Sequence, residues 1–478
     1  MKLNFKRLRC IIIVGLLVMV LTGAVVSAQD VAGRVTLTTS ETTWKTLAYE
    51  LDENNGIVRD SLDASTIVEH TFKTYVLEND YLKVTLLPEM GGRILSMIYK
   101  PTGHEELYQN PLGVPYGIGE GNFYYNWLMV YGGIFPTFPE PEHGKTWIVP
   151  WDFKVITETP EQVTVAMSVV DDIAFKGAPA KFDTRTTGIE ATFYITLKAG
   201  RSALDTRVVL HNPSDKPVKY EYWTCVTLAP GSQPGDTRTT AGAEIIAPVS
   251  DIKMPNWWPA TTAQEQATDT SDVYTFDKLR SFKNWADMGI AYAYPDLKGA
   301  NFWGVVNHDN QEGLIRIGNN DVTPGLKMWT WGYDSTDVDP FAQPTVESRP
   351  YIEMWAGVTP EFFTRTSFPA NADVVIEETY SPTVGLANVT QASRDYLVNF
   401  YAENATTAHL QIFSAQPERS ALAIITADSM LISETPIGIN PVKGFEVNIE
   451  IPAEAKSLSF KLVDEANNSL LTGDLALN

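Results

Sequence analysis

The stretch "YLKVTLLPEMGGRILSMIYKPTG", Tyr81 to Gly103, alternates apolar and polar residues, breaks at Pro-Glu-Met-Gly-Gly, and resumes as an apolar run. Leu82, Val84 and Leu86 share one face and Tyr81, Lys83 and Thr85 the other, which is the period of a strand with one buried side. "RILSMIYKPTG" repeats that logic and stops at a Pro-Thr-Gly turn. Arg93 stands at the head of this second run. A guanidinium inside a core must be paired or aimed at a polar group. The glycines beside it leave two readings open. One is a β-bulge with Arg93 paired to a core carboxylate; the other is an arginine on a concave sheet face whose planar fork donates to ligand hydroxyls.

The N-terminus and the composition bound the class. Lys2, Lys6, Arg7 and Arg9 precede the apolar run "IIIVGLLVMVL", and small residues follow at Ser27 and Ala28. This is the pattern of a secretory signal peptide cut after Ala28, so a secreted, extracytoplasmic location is expected, with no membrane association after cleavage. Losing those four basic residues takes the formal charge from −22 to −26. So acidic a chain repels nucleic acid and anionic membranes, which argues against both as partners. Cys225 is then the one remaining cysteine, so burial of a core, not an internal disulfide, must hold the fold. The 32 Gly and 29 Pro, with an aromatic content of 11%, suit a β-rich secreted protein with many turns. No Gly-rich phosphate loop, HExxH or CxxC occurs, so no cofactor and no metal is expected. Asp334, Asp337 and Asp339 read as a solvated turn, because their spacing matches no calcium loop.

Alternation continues in "QVTVAMSVV", "GIEATFYITLKAG", "ALDTRVVLHNPSDKPVKYEYWTCVTL" and "NFWGVVNHDNQEGLIRI". The expected fold is all-β, a large antiparallel β-supersandwich over residues 71–385, preceded by the signal peptide (1–28) and an N-terminal extension (29–70). "QASRDYLVNFYAEN", Gln391 to Asn404, carries the best helical pattern and is read as a linker helix within 386–404. Beyond it, "AHLQIFSA", "SALAIITA", "GFEVNIEIP" and "KSLSFKLVD" read as strands of a small C-terminal β-sandwich over 405–478. No internal repeat is present, which argues against a propeller or solenoid.

Several stretches concentrate residues able to do chemistry. The Pro-, Gly- and aromatic-rich segment Tyr125 to Phe153 carries His143 beside Glu140 and Glu142, a cluster that can position a proton donor or serve as a structural hydrogen-bonding group. "YEYWTCVTLAPG" supplies Tyr222 and Trp223, and "MPNWWPA" supplies Trp257 and Trp258. Prolines break the period that would bury this tryptophan pair, so it reads as a stacking platform for pyranose rings or as a loop packed down by its own side chains. Three further stretches, "FWGVVNHDNQEG", "PGLKMWTWGYD" and "SRPYIEMWAG", add His308, Asp309, Trp329, Trp331 and Glu353. Glu353 shares its strand face with Tyr351 and Trp355. A carboxyl on an aromatic face is partly desolvated and its pKa rises, as a general base near neutrality needs; the ordinary alternative is an outward-facing glutamate.

These motifs occur in one order: "VLENDYLKVTLLPEMGGRILSMIYKPTG", "YGGIFPTFPEPEHG", "FWGVVNHDNQEGLIRI", "PGLKMWTWGYD", "RPYIEMWAG". Over about residues 35 to 385 the chain resembles the bacterial family called domain of unknown function 5107, which looks like a branch of the galactose mutarotase-like (aldose-1-epimerase-like) superfamily. The resemblance implies a β-supersandwich that binds carbohydrate in a concave face. It also implies that Arg93 and His143 contact sugar hydroxyls and that Glu353 is the general base. Mutarotases usually place a histidine acid on a middle strand, and "YEYWTCVTL" has none, which leaves His143 or His308 to substitute. Three functions fit. They are an aldose epimerase-like enzyme using Glu353, a glycosidase pairing Glu353 with Glu142 or Asp309, and a non-catalytic glycan-binding module using Trp257, Trp258 and Trp329.

Overall fold

Strands Leu82–Leu87 and Arg93–Tyr99 pair antiparallel, Val84 opposite Met97 and Leu82 opposite Tyr99, as their alternation predicts. They belong to a computed structural model that describes residues 33–50, 61, 63–112, 132–140, 143–147, 149–172, 186–255, 272–285, 289–330, 332–333 and 350–477. Among these residues the main body is a 12-stranded sheet and an 8-stranded sheet, every pairing of which is antiparallel. Val84, Leu86, Ile94, Val226, Met354 and Met328 from the larger sheet meet Val165, Ile195, Val208 and Leu210 from the smaller in one buried core. Each such side chain contributes about 1.5–3 kcal/mol. The fold is the all-β antiparallel sandwich that the sequence implies.

The residues between these core positions decide where a site can lie. In Trp223–Ser232, Gly325–Thr330 and Ile352–Gly357 the core takes Val226, Met328 and Met354, so Cys225, Trp329 and Trp355 face away from it. They join Phe135, Trp147, Tyr292 and Phe362 in a second cluster on the outer face of the large sheet. Strands Thr36–Ala48 and Asp63–Glu78 form a long hairpin, of which only Tyr75 to Glu78 pairs onward into the sheet. Its free length brings Trp44 and Phe72 onto the same aromatic cluster.

The C-terminal region is two four-stranded sheets around their own core, which includes Val398, Leu410, Ile425 and Phe460. The expected linker helix is not there: Gln391–Ala392 and Tyr396–Ala402 are strands. The reason is burial on both faces. Tyr396, Val398 and Phe400 enter the C-terminal core, while Leu397 packs with Phe302, Ile315 and Ile317 of the 8-stranded sheet. A strand covered on both sides loses its polar alternation and resembles a helix in sequence.

Candidate active site on the outer face of the large sheet

Gly91 and Gly92 adopt φ of 73° and 57°, the left-handed region that favours glycine. A Cβ on Gly91 would lie 1.9 Å from the Trp147 carbonyl oxygen, and one on Gly92 would strike the Trp151 ring. The glycine pair therefore lets the Trp147–Trp151 segment close onto the turn, with Gly91 N–H donating to the Val149 carbonyl at 2.9 Å. Arg93 completes the clasp. It is fully buried; Nε donates to Met90 O at 2.7 Å, Nη1 to Gly132 O at 2.9 Å and Nη2 to Trp147 O at 2.9 Å, and the guanidinium lies 4.4 Å from the Phe135 ring centre. The fork thus ties three separate backbone segments together through carbonyls. Gly91→Ala is expected to cost ~3 kcal/mol or more, from positive φ and the clash combined. An unfolding free energy in urea within ~0.5 kcal/mol of wild type would refute the clasp.

Glu353 sits at the centre of the outer face, opposite Thr227 on one side and Trp329 on the other. It is 6% exposed. Its oxygens accept hydrogen bonds from Tyr351 Oη at 3.1 Å and Trp355 Nε1 at 2.9 Å, and Lys327 Nζ stands 3.9 Å away. Burial raises the carboxyl above its usual range, opposed by Lys327 and the two hydrogen bonds. Lys327, which sequence reasoning missed, is itself buried against aromatic rings, 4.3 Å from the centre of Trp355 and 4.6 Å from Phe362. It shares strand parity with Trp329, so alternation within "PGLKMWTWGYD" was the signal that could have found it.

His143 reaches this face from its loop, its ring 4.6 Å from that of Trp147 and 5.2 Å from that of Trp355. Burial, then the positive charges of Lys327 and Arg93, push its pKa well below the usual histidine value. The buried Nδ1 has no hydrogen-bond partner among the described residues. Trp355 thus touches the imidazole with its ring and holds Glu353 with its N–H, and Phe135 lies between Arg93 and the same imidazole. Arg93, His143 and Glu353 are brought together on one aromatic sheet face.

Other predicted residues lie elsewhere. His308 and Asp309 are in the turn after Phe302–Asn307 on the 8-stranded sheet, where His308 Nε2 meets Glu244 at 2.8 Å, so His308 is not across a pocket from Glu353. Tyr222 is a correction: strand parity turns it into the core between the sheets, where its hydroxyl meets that of Thr224. Trp223 has the right parity but is wholly buried, edge-on to Phe362 and donating to Glu221 at 3.3 Å, so it supports the face from beneath. Trp329 is half-buried beside Tyr351. Glu221, also on this side, is pushed by burial up to about 7. Glu142, Trp257, Trp258, Trp331, the aspartates of 334–339 and residues 1–28 lie outside the described residues.

Fold and face together define an antiparallel β-sandwich protein with a buried carboxyl and a buried imidazole on one sheet face. Residues 62–379 match the family described as Domain of unknown function (DUF5107), and the chain belongs to that family. A TPR-domain containing protein from Parabacteroides distasonis shares the fold with a TM-score of 0.58 at 17% identity, over 76% of this chain and 57% of that one. This chain therefore spans little more than half of that protein's length. A galactose mutarotase-like protein from Clostridium acetobutylicum aligns with a TM-score of 0.42 at 10% identity, over 66% of this chain and 96% of that one. A galactose mutarotase-like protein from Lactobacillus casei gives 0.37 at 12%, over 65% and 100%.

Proposed function

We propose that this is a secreted carbohydrate-active protein that binds a sugar on the outer face of the large sheet and interconverts its anomers, with Glu353 as general base. The observation that carries the reading is the pairing of two desolvated proton-transfer groups, Glu353 and His143, on the two sides of Trp355. Glu353 takes the proton from the anomeric hydroxyl, the bond from the anomeric carbon to the ring oxygen breaks, and the ring oxygen takes a proton from His143. The open-chain aldehyde turns and recloses on its other face, returning both protons. The lowered pKa keeps the ring neutral, so the proton it gives comes from Nδ1 and leaves a transient imidazolate, a charge that the nearby cations Lys327 and Arg93 favour until the proton returns. Arg93 acts as a positioning residue, holding the Trp147 segment beside His143.

With the described carboxyls, hydrolysis fits less well; Glu142 lies outside the described residues. Glycosidases need a second carboxyl about 5–9.5 Å from the first. Glu221 lies six residues along the chain from Thr227, Glu353's cross-strand neighbour, about 20 Å for extended backbone. Asp309 is on the other sheet. Binding without turnover is the second reading, favoured by the half-buried Trp329 on this aromatic sheet face.

The test is a panel of mono- and oligosaccharides in which binding, anomer exchange and reducing-end release are all read. Anomer exchange is expected; reducing-end release in its place would replace this mechanism with hydrolysis. A separate check needs no substrate. The protein has 6 histidines, few enough to resolve by NMR, and the His143 ring is expected to titrate below its ordinary value and stay neutral through pH 7. A midpoint at or above ~6.5 would remove the neutral-donor role.

A further inference from the structure

A cleft of about 290 Å3 opens between the N-terminal hairpin and the end of the large sheet, lined by Thr42, Thr43 and Trp44 on one side and Gln109, Asn110 and Thr237 on the other. Its volume lies just under the range for small-ligand sites, about 300–1,000 Å3. The lining is one aromatic ring with hydroxyls and carboxamides. Its charged member, Lys45, reaches Glu69 at 3.7 Å. Hydroxyls and amides that donate and accept, beside an aromatic face, match the alternating hydroxyl and C–H surfaces of a neutral sugar. A nucleotide or a sugar acid would call for cations or a helix terminus instead.

The cleft adjoins the site described above. Tyr108, the residue before Gln109, donates its N–H to Thr227 O at 3.1 Å, and Thr227 is the cross-strand neighbour of Glu353. The Tyr108 ring stacks on Tyr351 at 4.2 Å, and Tyr351 donates to Glu353. Glu353, Thr227 and Tyr108 therefore stand in a row across the sheet, spanning about 10 Å, with the cleft beginning at the next residue. A single hexose does not bridge that span; a short oligosaccharide does. Trp44 joins the two regions, since it lines the cleft and packs in the same aromatic cluster as Trp355.

We propose that this cleft is a second sugar subsite, which receives a neutral residue further along a chain whose reducing-end ring lies at Glu353. The substrate class is then a neutral oligosaccharide or polysaccharide end, not a free aldose. The inference rests on the sugar-binding reading of the Glu353 face. Its distinctive consequence is that affinity grows with chain length, and that the growth depends on the hairpin.

The experiment titrates the full chain with glucose, mannose, galactose and xylose and with their oligomers of two to six residues. Two variants are compared with wild type. Thr42→Phe fills the cleft from a strand position where an aromatic residue is well tolerated, and Trp44→Ala removes its ring. Thermal unfolding of each confirms that it is folded. Wild type is expected to bind oligomers more tightly than the matching monosaccharide; both variants should lose about tenfold on oligomers, and Thr42→Phe should do so with monosaccharide binding unchanged. Oligomer affinity unchanged in folded Thr42→Phe, or no dependence on chain length in wild type, overturns the subsite and leaves the Glu353 reading standing. Failure of every sugar to bind wild type overturns both.

Discussion

Glu353→Gln is expected to reduce anomer exchange by about 10²–10⁴-fold, the usual worth of a positioned general base, while sugar affinity stays within a few-fold of wild type. The glutamine side chain keeps the shape; its one carbonyl oxygen can accept from Trp355 while its NH2 donates to the Tyr351 hydroxyl, which turns to accept, so both groups that now orient the carboxylate keep a partner. What it lacks is the ability to take a proton. A stability measurement gives an independent reading of the same group. Because burial raises the folded-state pKa of Glu353 above its unfolded value, the stability its protonated form confers is complete below about pH 4.3 and drains as pH rises through the folded value. The amide undergoes no such loss. The variant should therefore gain stability relative to wild type as pH increases across that window, with urea midpoints as the readout. Full turnover in Glu353→Gln would end the enzymatic reading. Tight sugar binding with no turnover in wild type would leave the glycan-binding reading.

Strand periodicity made most of the fold legible, and it was weakest where tertiary context sets the phase. In "YLKVTLLP" one polar face made the buried side plain, whereas in "YEYWTCVTL" every residue is buried and parity alone separates Trp223 from Tyr222. Which parity faces the core is fixed by pairing with Ile352–Gly357, more than a hundred residues later in the chain. The same difficulty hid the strand at Tyr396–Ala402. Glu353 was legible because it is an acid flanked by aromatics of its own parity. Lys327 carried a similar local signal, yet its role depends on standing opposite Trp355 and diagonal to Glu353 across a strand pair, which a single stretch does not reveal. Arg93 was legible as an oddity only. The alternatives of a carboxylate partner or a ligand hydroxyl both overlooked backbone carbonyls, which no side-chain pattern encodes.

Arg93 therefore carries the largest expected effect on stability. Replacing it with Met leaves the carbonyls of Met90, Gly132 and Trp147 buried without this donor, at about 1–3 kcal/mol each. A loss of at least ~4 kcal/mol in chemical unfolding is expected. Arg93→Lys should recover little of it, because one ammonium on a flexible stem cannot reach three carbonyls that a planar fork spans. A conventional sugar-contacting arginine behaves differently: its replacement weakens binding and spares the fold. Here the two effects should travel together, since Nη2 holds the segment that carries Trp147, and Trp147 packs against the His143 ring. If Arg93→Lys proves as stable as wild type yet binds sugar more than about tenfold more weakly, the guanidinium contacts ligand directly and the clasp is secondary. If both variants unfold at lower denaturant and lose the His143 titration signature, the arginine at the head of the apolar strand is the bolt that holds the site together.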